Sequence, residues 1–145
     1  MKIEGSQVLA LTPAEVFRRL TDPVALQGAL AGCEKMERIG EDEYKAHLKI
    51  GSGMIKGNYI GKVRITERTE GRKLTLQMEG KGTPGFVNGT AVVELTGEGQ
   101  GTKLTYQAEA KVGGLVAMVG SRMIEATAKK IAAEFFQNIS SSAGS

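Results

Sequence analysis

The hydrophobic period of this chain changes twice along its length. Apolar and polar residues alternate from Lys2 to Leu11 and predict a first strand. Two helix starts follow at once. Thr12-Pro13-Ala14-Glu15 offers Thr12 as N-cap, Pro13 at the first helical position and Glu15 as the returning arm of a capping box, for a helix running to about Leu20. Asp22-Pro23 repeats the signal, and a second short helix carries Leu26 and stops near Gly28. From residue 34 to 112 the period is two, broken at Gly40-Glu41-Asp42, Gly51-Ser52-Gly53, Glu70-Gly71-Arg72, Thr83-Pro84-Gly85 and Gly97 to Gly101, so about six hairpin-linked antiparallel strands are expected. After Gly113-Gly114, Ile124, Ala128, Ile131, Phe135 and Ile139 recur every three or four residues and predict one long closing helix. The expectation is an α+β fold: a curved antiparallel sheet wrapped around a long C-terminal helix, with two short helices after the first strand. Residues 1–140 form one domain, and 141–145 form a polar tail with the look of an artificial or frayed end.

Sorting the strands by alternation shows what faces that helix. The inward set is Tyr44, Ala46, Leu48, Ile50; then Ile55, Gly57, Tyr59, Gly61, Val63, Ile65; then Leu74, Leu76, Met78, Gly80, Gly82; then Val87, Gly89, Ala91, Val93, Leu95; and finally Leu104, Tyr106, Ala108, Ala110, Val112. Each strand has a bulky end and a small end. If the small ends coincide across neighbouring strands, a patch of nearly bare backbone faces Leu115, Met118, Val119, Met123 and Ile124 of the helix. An unfilled hollow of ~300 Å³ there would cost about 7 kcal/mol at ~24 cal/mol per Å³, a large share of a domain's net stability. A guest belongs in such a space, unless the glycines serve only to bend the sheet.

Composition narrows the classes. The chain has 145 residues, 41% hydrophobic and 24% charged, as in an ordinary globular domain, with Gly 20 as its one excess. One Cys and one His supply neither a zinc cluster nor an intrachain disulfide. A net charge of +3, scattered, with no Trp and only seven Phe and Tyr, makes a poor nucleic-acid surface. The start Met1-Lys2-Ile3-Glu4-Gly5 has no secretory run and no window resembles a membrane span, so the cytosol is expected.

Several motifs fail on context. Gly80-Lys81-Gly82-Thr83-Pro84-Gly85 spells G-x-G-x-x-G but opens a strand, not a helix. Cys33 and His47 make no thiol–base pair, since His47 points outward between Lys45 and Lys49. Asn88-Gly89-Thr90 and Asn138-Ile139-Ser140 are sequons in form only. The titratable groups expected inside are Tyr44, Tyr59 and Tyr106, suited to core packing or to orienting a ligand carbonyl, and no carboxylate pair faces inward. Two apolar segments, Pro84 to Val87 and Gly113 to Gly120, should lie near one end as a portal, partner or membrane contact, or be tucked under the preceding loop.

The segment Gly113-Gly114-Leu115 to Gly120-Ser121-Arg122-Met123-Ile124, with Ala128-Lys129-Lys130 and Phe135-Phe136, resembles the carbon monoxide dehydrogenase G-subunit family. The likeness extends to Gly32-Cys33-Glu34, Lys56-Gly57, Gly61-Lys62-Val63, Gly85-Phe86, Gly89, and Gly101-Thr102-Lys103-Leu104-Thr105-Tyr106. Ala31 stands where members commonly have Pro, and members often carry a longer C-terminal extension, where a membrane-binding tail would sit. The resemblance implies a helix-grip, START-like fold and an apolar cavity. It also implies a non-enzymatic accessory protein of a molybdenum hydroxylase of the carbon monoxide dehydrogenase type, placed in the cytoplasm at the inner face of the membrane.

Together the hollow and the resemblance forecast an apolar ligand, a respiratory quinone (menaquinone or ubiquinone) or a lipid. Its expected lining is Tyr59, Gly61, Val63, Leu76, Met78, Gly80, Phe86, Ala91, Val93, Tyr106, Ala108, Leu115, Met118, Val119 and Met123. The membrane or partner contact is assigned to Phe86, Val87, Leu115, Val116, Lys56, Lys62 and Arg64. No catalytic residue, metal or covalent cofactor is assigned. The alternatives are a docking module with a solid interior, meeting anionic lipid or an acidic enzyme surface through Lys56, Lys62 and Arg64, and a cyclase or hydrolase using the same cavity.

Overall fold

The computed structural model describes residues 1–51 and 56–141. The elements run β1 (Lys2–Leu9), α1 (Pro13–Leu20), α2 (Pro23–Ala29), β2 (Cys33–Gly40), β3 (Glu43–Ile50), β4 (Gly57–Thr69), β5 (Lys73–Gly82), β6 (Gly85–Glu98) and β7 (Gly101–Gly113), then a 3-10 turn (Leu115–Val119) and α3 (Ser121–Ser141). Ile55, most of the Gly51-Ser52-Gly53 break and residues 142–145 of the tail lie outside the described residues.

Local chemistry accounts for the helix starts. Thr12 is extended and its Oγ1 accepts from the Glu15 amide at 3.3 Å, while the Asp22 carboxylate accepts from the Val24 amide at 3.1 Å, each ahead of a proline in the first turn. The capping box is only half formed. The Glu15 carboxylate turns away from the cap to accept from Arg18 and Arg19, because two guanidiniums one turn on are stronger partners than one amide. Two other boundaries differ from expectation. β1 stops at Leu9, and the closing helix is split, because Gly120 takes φ 93°, a conformation that ends the turn before α3 begins.

The seven strands of the described residues form one antiparallel sheet in the order β1-β7-β6-β5-β4-β3-β2. A register shift between Ile65 and Glu67 bends β4 and adds to the coiling. The three helices lie on the concave side, where α2 packs against both β2 and α3, and α3 packs against β1. The core occupies one end of the concavity. Leu74, Val93, Leu95 and Leu104 of the sheet meet Val16, Phe17 and Leu20 of α1 and Phe136 and Ile139 of α3, all buried. Arg19 Nη1 donates to the carbonyl of Ile139 at 2.8 Å and Asn138 Nδ2 to that of Ala29 at 3.0 Å, pinning the C-terminal half of α3 to α1 and α2.

Candidate functional site

The opposite end of the concavity is built from the small ends of the strands. Pairing places Ala46 beside Gly61, Gly61 beside Gly80, and Gly80 beside Val87 and then Val112, in one row. The next row toward the core runs Tyr44, Val63, Met78, Gly89, Ala110, and the one after it Ile65, Leu76, Ala91, Ala108, Ile3. The small residues therefore step diagonally across the sheet instead of coinciding in one row.

Glycine surroundings separate structural from open positions. Among the described residues, a Cβ on Gly61 would meet only the Glu79 carbonyl at 3.8 Å and Leu48 Cδ1 at 3.9 Å, and one on Gly80 only Val87 Cγ1 at 3.1 Å. No atom of α3 comes down onto either, so the helix is not seated on the bare sheet at this end. Three other glycines are seats for aromatic rings on neighbouring strands: Tyr59 covers Gly82, Phe86 covers Gly113, and Tyr106 covers Gly5. Gly89 is forced by backbone approach, since a Cβ there would fall 2.5 Å from the Glu109 carbonyl. The open patch is thus Gly61 and Gly80, with Ala46, Ala91, Ala108 and Ala110 around it, smaller than the glycine pattern implied.

The expected lining residues divide accordingly. Tyr59, Gly61, Val63, Leu76, Met78 and Gly80 come together on the inner face with Ala91, Val93 and Ala108, and all are half-buried except the buried Ala91 and Val93. Phe86 does not join them. Its register partners are Lys81 and Gly113, on the outer face, because β6 shows no register shift that would invert it. The neighbouring Val87, expected as a contact residue, is the one that faces inward, against Gly80. Val116, expected as exposed contact, is buried: its amide donates to the Pro84 carbonyl at 2.8 Å and its Cβ lies 3.3 Å from where a Gly85 side chain would start. Leu115, Met118 and Met123 do not cover the sheet but stand 70%, 79% and 56% exposed, and Val119 is half-buried. The break at Gly120 is the cause, since it lets the turn fold over the end of β6 instead of continuing the helix above the sheet.

The tyrosines have three different situations. Tyr44 donates to the Thr21 carbonyl at 2.8 Å and belongs to the core. Tyr59 lies in the open half, and Tyr106 leans on Phe136 with ring centroids 5.5 Å apart at the border between core and open space. Burial pushes all three hydroxyls up, so each is a neutral donor at ordinary pH. Cys33 pairs with Leu48, and its thiol is pushed up by burial, whereas His47 stands on the outer side with Nε2 3.5 Å from a Glu37 oxygen. They do not meet. Among the described residues no three His, Cys, Asp or Glu side chains gather as metal ligands, and no helix is long and apolar enough to cross a membrane.

Exposed charges at the open end include Lys49, Lys56, Lys81, Lys111 and Arg122, with Glu79 in the row of Lys111, while Glu41, Glu70, Glu94 and Glu98 lie toward the core end together with Arg72, Lys73 and Lys103. On the outer face an open groove of about 630 Å³ crosses the strands, lined by Lys62, Arg64, Lys111, Glu43, Glu79, Gln77, Asn88 and Thr90 with the edges of Val63, Met78 and Gly89. Arg64 Nη2 donates to Gln77 Oε1 there at 2.6 Å. Lys62 and Arg64 thus lie on the face opposite the concavity.

This arrangement is similar to known structures. A conserved protein from Geobacillus kaustophilus is 40% identical, with a TM-score of 0.93 over 97% of this chain and 93% of its own. A START superfamily protein from Mycobacterium smegmatis shares the fold at 9% identity, with a TM-score of 0.76 over 96% of this chain and 94% of its own. The chain matches no curated protein. Residues 5–144 fit the family described as CoxG, the G subunit of carbon monoxide dehydrogenase, and with nearly its whole length so matched the chain belongs to that family.

Proposed function

We propose that this protein is a non-enzymatic accessory protein that takes an apolar molecule, a respiratory quinone (menaquinone or ubiquinone) or a lipid, between the small ends of β4–β7 and the first half of α3. The observation that carries this reading is the open space over Gly61 and Gly80, bordered by Val63, Leu76, Met78, Val87 and Ala108. The family description, the G subunit of carbon monoxide dehydrogenase, supports a partner of that type, which we take to be a molybdenum hydroxylase, and an enzyme that delivers electrons to a membrane has use for a carrier of quinone. Exposed Leu115 and Met118 beside Lys56, Lys81, Lys111 and Arg122 suit the inner face of an anionic bilayer, where each basic residue near the surface contributes about 1 kcal/mol.

The test is organic extraction of the purified protein followed by mass spectrometry, with flotation on vesicles containing anionic lipid. A quinone or lipid near one per chain, and flotation that salt weakens, are expected. Extracts with no such molecule would sink the carrier reading. A second reading draws on the outer groove: Lys62 and Arg64 in a polar channel fit docking to an acidic protein surface without any internal guest. Under that reading Lys62→Glu breaks enzyme binding and the extract is empty.

A further inference from the structure

Residues 114–120 are built in a way that a cavity alone does not require. Gly114 has φ 80° and ψ −160°, and Gly120 φ 93° and ψ 149°, so both ends of the 3-10 turn sit in a region that is nearly glycine-only. Between them the turn is a hydrogen-bonded unit of its own, a 3-10 helix closed at its ends by bonds from the Ala117 amide to the Gly114 carbonyl at 3.1 Å and from the Gly120 amide to the Ala117 carbonyl at 3.3 Å. Leu115, Ala117 and Met118 are exposed and only Val116 is buried. That residue also attaches the turn to the sheet, by its amide on the Pro84 carbonyl and its side chain in the space Gly85 leaves. Gly85 continues the inward set of Val87 and Gly89, so Val116 crosses onto the concave side at the end where the sheet is open.

We propose that residues 114–120 are a lid on the cavity, swinging on Gly114 and Gly120 and held shut by Val116. The inference rests on the carrier reading above. Because the hinges are two residues and the latch is one side chain with one hydrogen bond, opening leaves the sheet, α3 and the core untouched. Leu115 and Met118, apolar and outward in the closed form, are the surface a bilayer engages, so contact with lipid and opening of the cavity involve the same segment. Closed, the lid slows escape of an apolar guest into water.

The test is release of bound ubiquinone-2 from the loaded protein into vesicles carrying a pyrene lipid that the quinone quenches, followed by stopped flow. Val116→Ala weakens the latch, and Gly120→Ala, which meets no atom within 4 Å, acts only by straining the hinge. Each is expected to speed release about fivefold or more, the rate equivalent of the lower bound of such strain, with the melting midpoint lowered by only about 2–4 °C. Val8→Ala, on the outer face of β1, is the control and should leave release unaltered. Quinone release at the wild-type rate in both lid variants would overturn the lid while leaving the carrier reading in place. Failure of the wild-type protein to hold ubiquinone-2 would overturn quinone carriage, and the lid with it.

Discussion

The two ends of the concave face are made from the same strands and the same helix, yet one is packed solid and the other is not. At the core end, Leu104, Leu95, Leu74 and Val93 are capped by α1 and by Phe136 and Ile139, and Leu104 and Ile139 have no measurable exposure. At the open end the same strands present Gly61, Gly80, Ala108 and Ala110, and the helical residues above, Met123 and Ile131, are 56% and 40% exposed. The difference lies in helix supply. α1 and the last two turns of α3 are spent on the core end, tied by Arg19 and Asn138, and among the described residues nothing of comparable bulk reaches the other. Packing is concentrated at one end, and among the described residues the other is left open.

Truncation should expose this division most strongly. Leu104→Ala removes a fully buried side chain from contact with both layers and is expected to cost about 2–5 kcal/mol in urea unfolding. Met78→Ala, a similar loss of volume on a half-buried residue in the open half, should cost less than about 1.5 kcal/mol, because its side chain has few partners to lose. Equal losses at the two sites would show that the open end is packed after all.

Filling the open end is the complementary change. Gly61→Leu places a side chain where only Leu48 Cδ1 and a carbonyl come within 4 Å. It should raise stability by about 0.5–1 kcal/mol, since a strand glycine is replaced and apolar surface is covered, while abolishing quinone uptake. Ala108→Leu should act in the same direction on uptake. Retained uptake in both variants would place the guest elsewhere.

The contrast between the ends was partly legible in the sequence. Period-two alternation predicted the strands and, for the five from Tyr44 onward, sorted inner from outer residues, because a one-residue error of register would turn a whole face to solvent. The bulky and small halves of each strand followed from the same count. Two things were not legible. Alternation within a strand says nothing of stagger between strands, so the diagonal placement of Gly61, Gly80 and Gly89 needed the register. Nor does it tell an open glycine from one that seats a ring. Gly5, Gly82 and Gly113 lie opposite Tyr106, Tyr59 and Phe86, a pairing visible only once neighbours are known. The signal at Gly120 was present, a glycine inside a helical pattern, but the periodic residues on both sides outweighed it.

Tyrosine hydroxyls sharpen the comparison at smaller magnitude. Tyr44→Phe deletes a bond to the Thr21 carbonyl that joins β3 to the end of α1, and should cost about 1 kcal/mol by denaturant titration. Tyr106→Phe keeps the ring on Gly5 and Phe136 and should leave the unfolding midpoint unmoved. A larger cost for Tyr106→Phe than for Tyr44→Phe would mean that the hydroxyl at the border of the core is structural.

The smallest effect belongs to the surface of the core end. Glu15 accepts from Arg18 first and Arg19 second, and these bonds hold its carboxyl at about 2 against an ordinary 4.5. A carboxyl lowered on folding contributes stability that is fully present above its unfolded value and lost as pH falls toward the folded one. The contribution should therefore be complete above pH 4.5 and fade between there and pH 2. Because the side chains of Arg18 and Glu15 are 54% and 34% exposed, solvent and salt screen the pair, and Glu15→Gln should lower the melting midpoint only slightly at neutral pH. The difference between variant and wild type should shrink on acidification across that window, and in high salt. A difference that persists at pH 2 would assign the role of Glu15 to packing at the start of α1 and not to its charge.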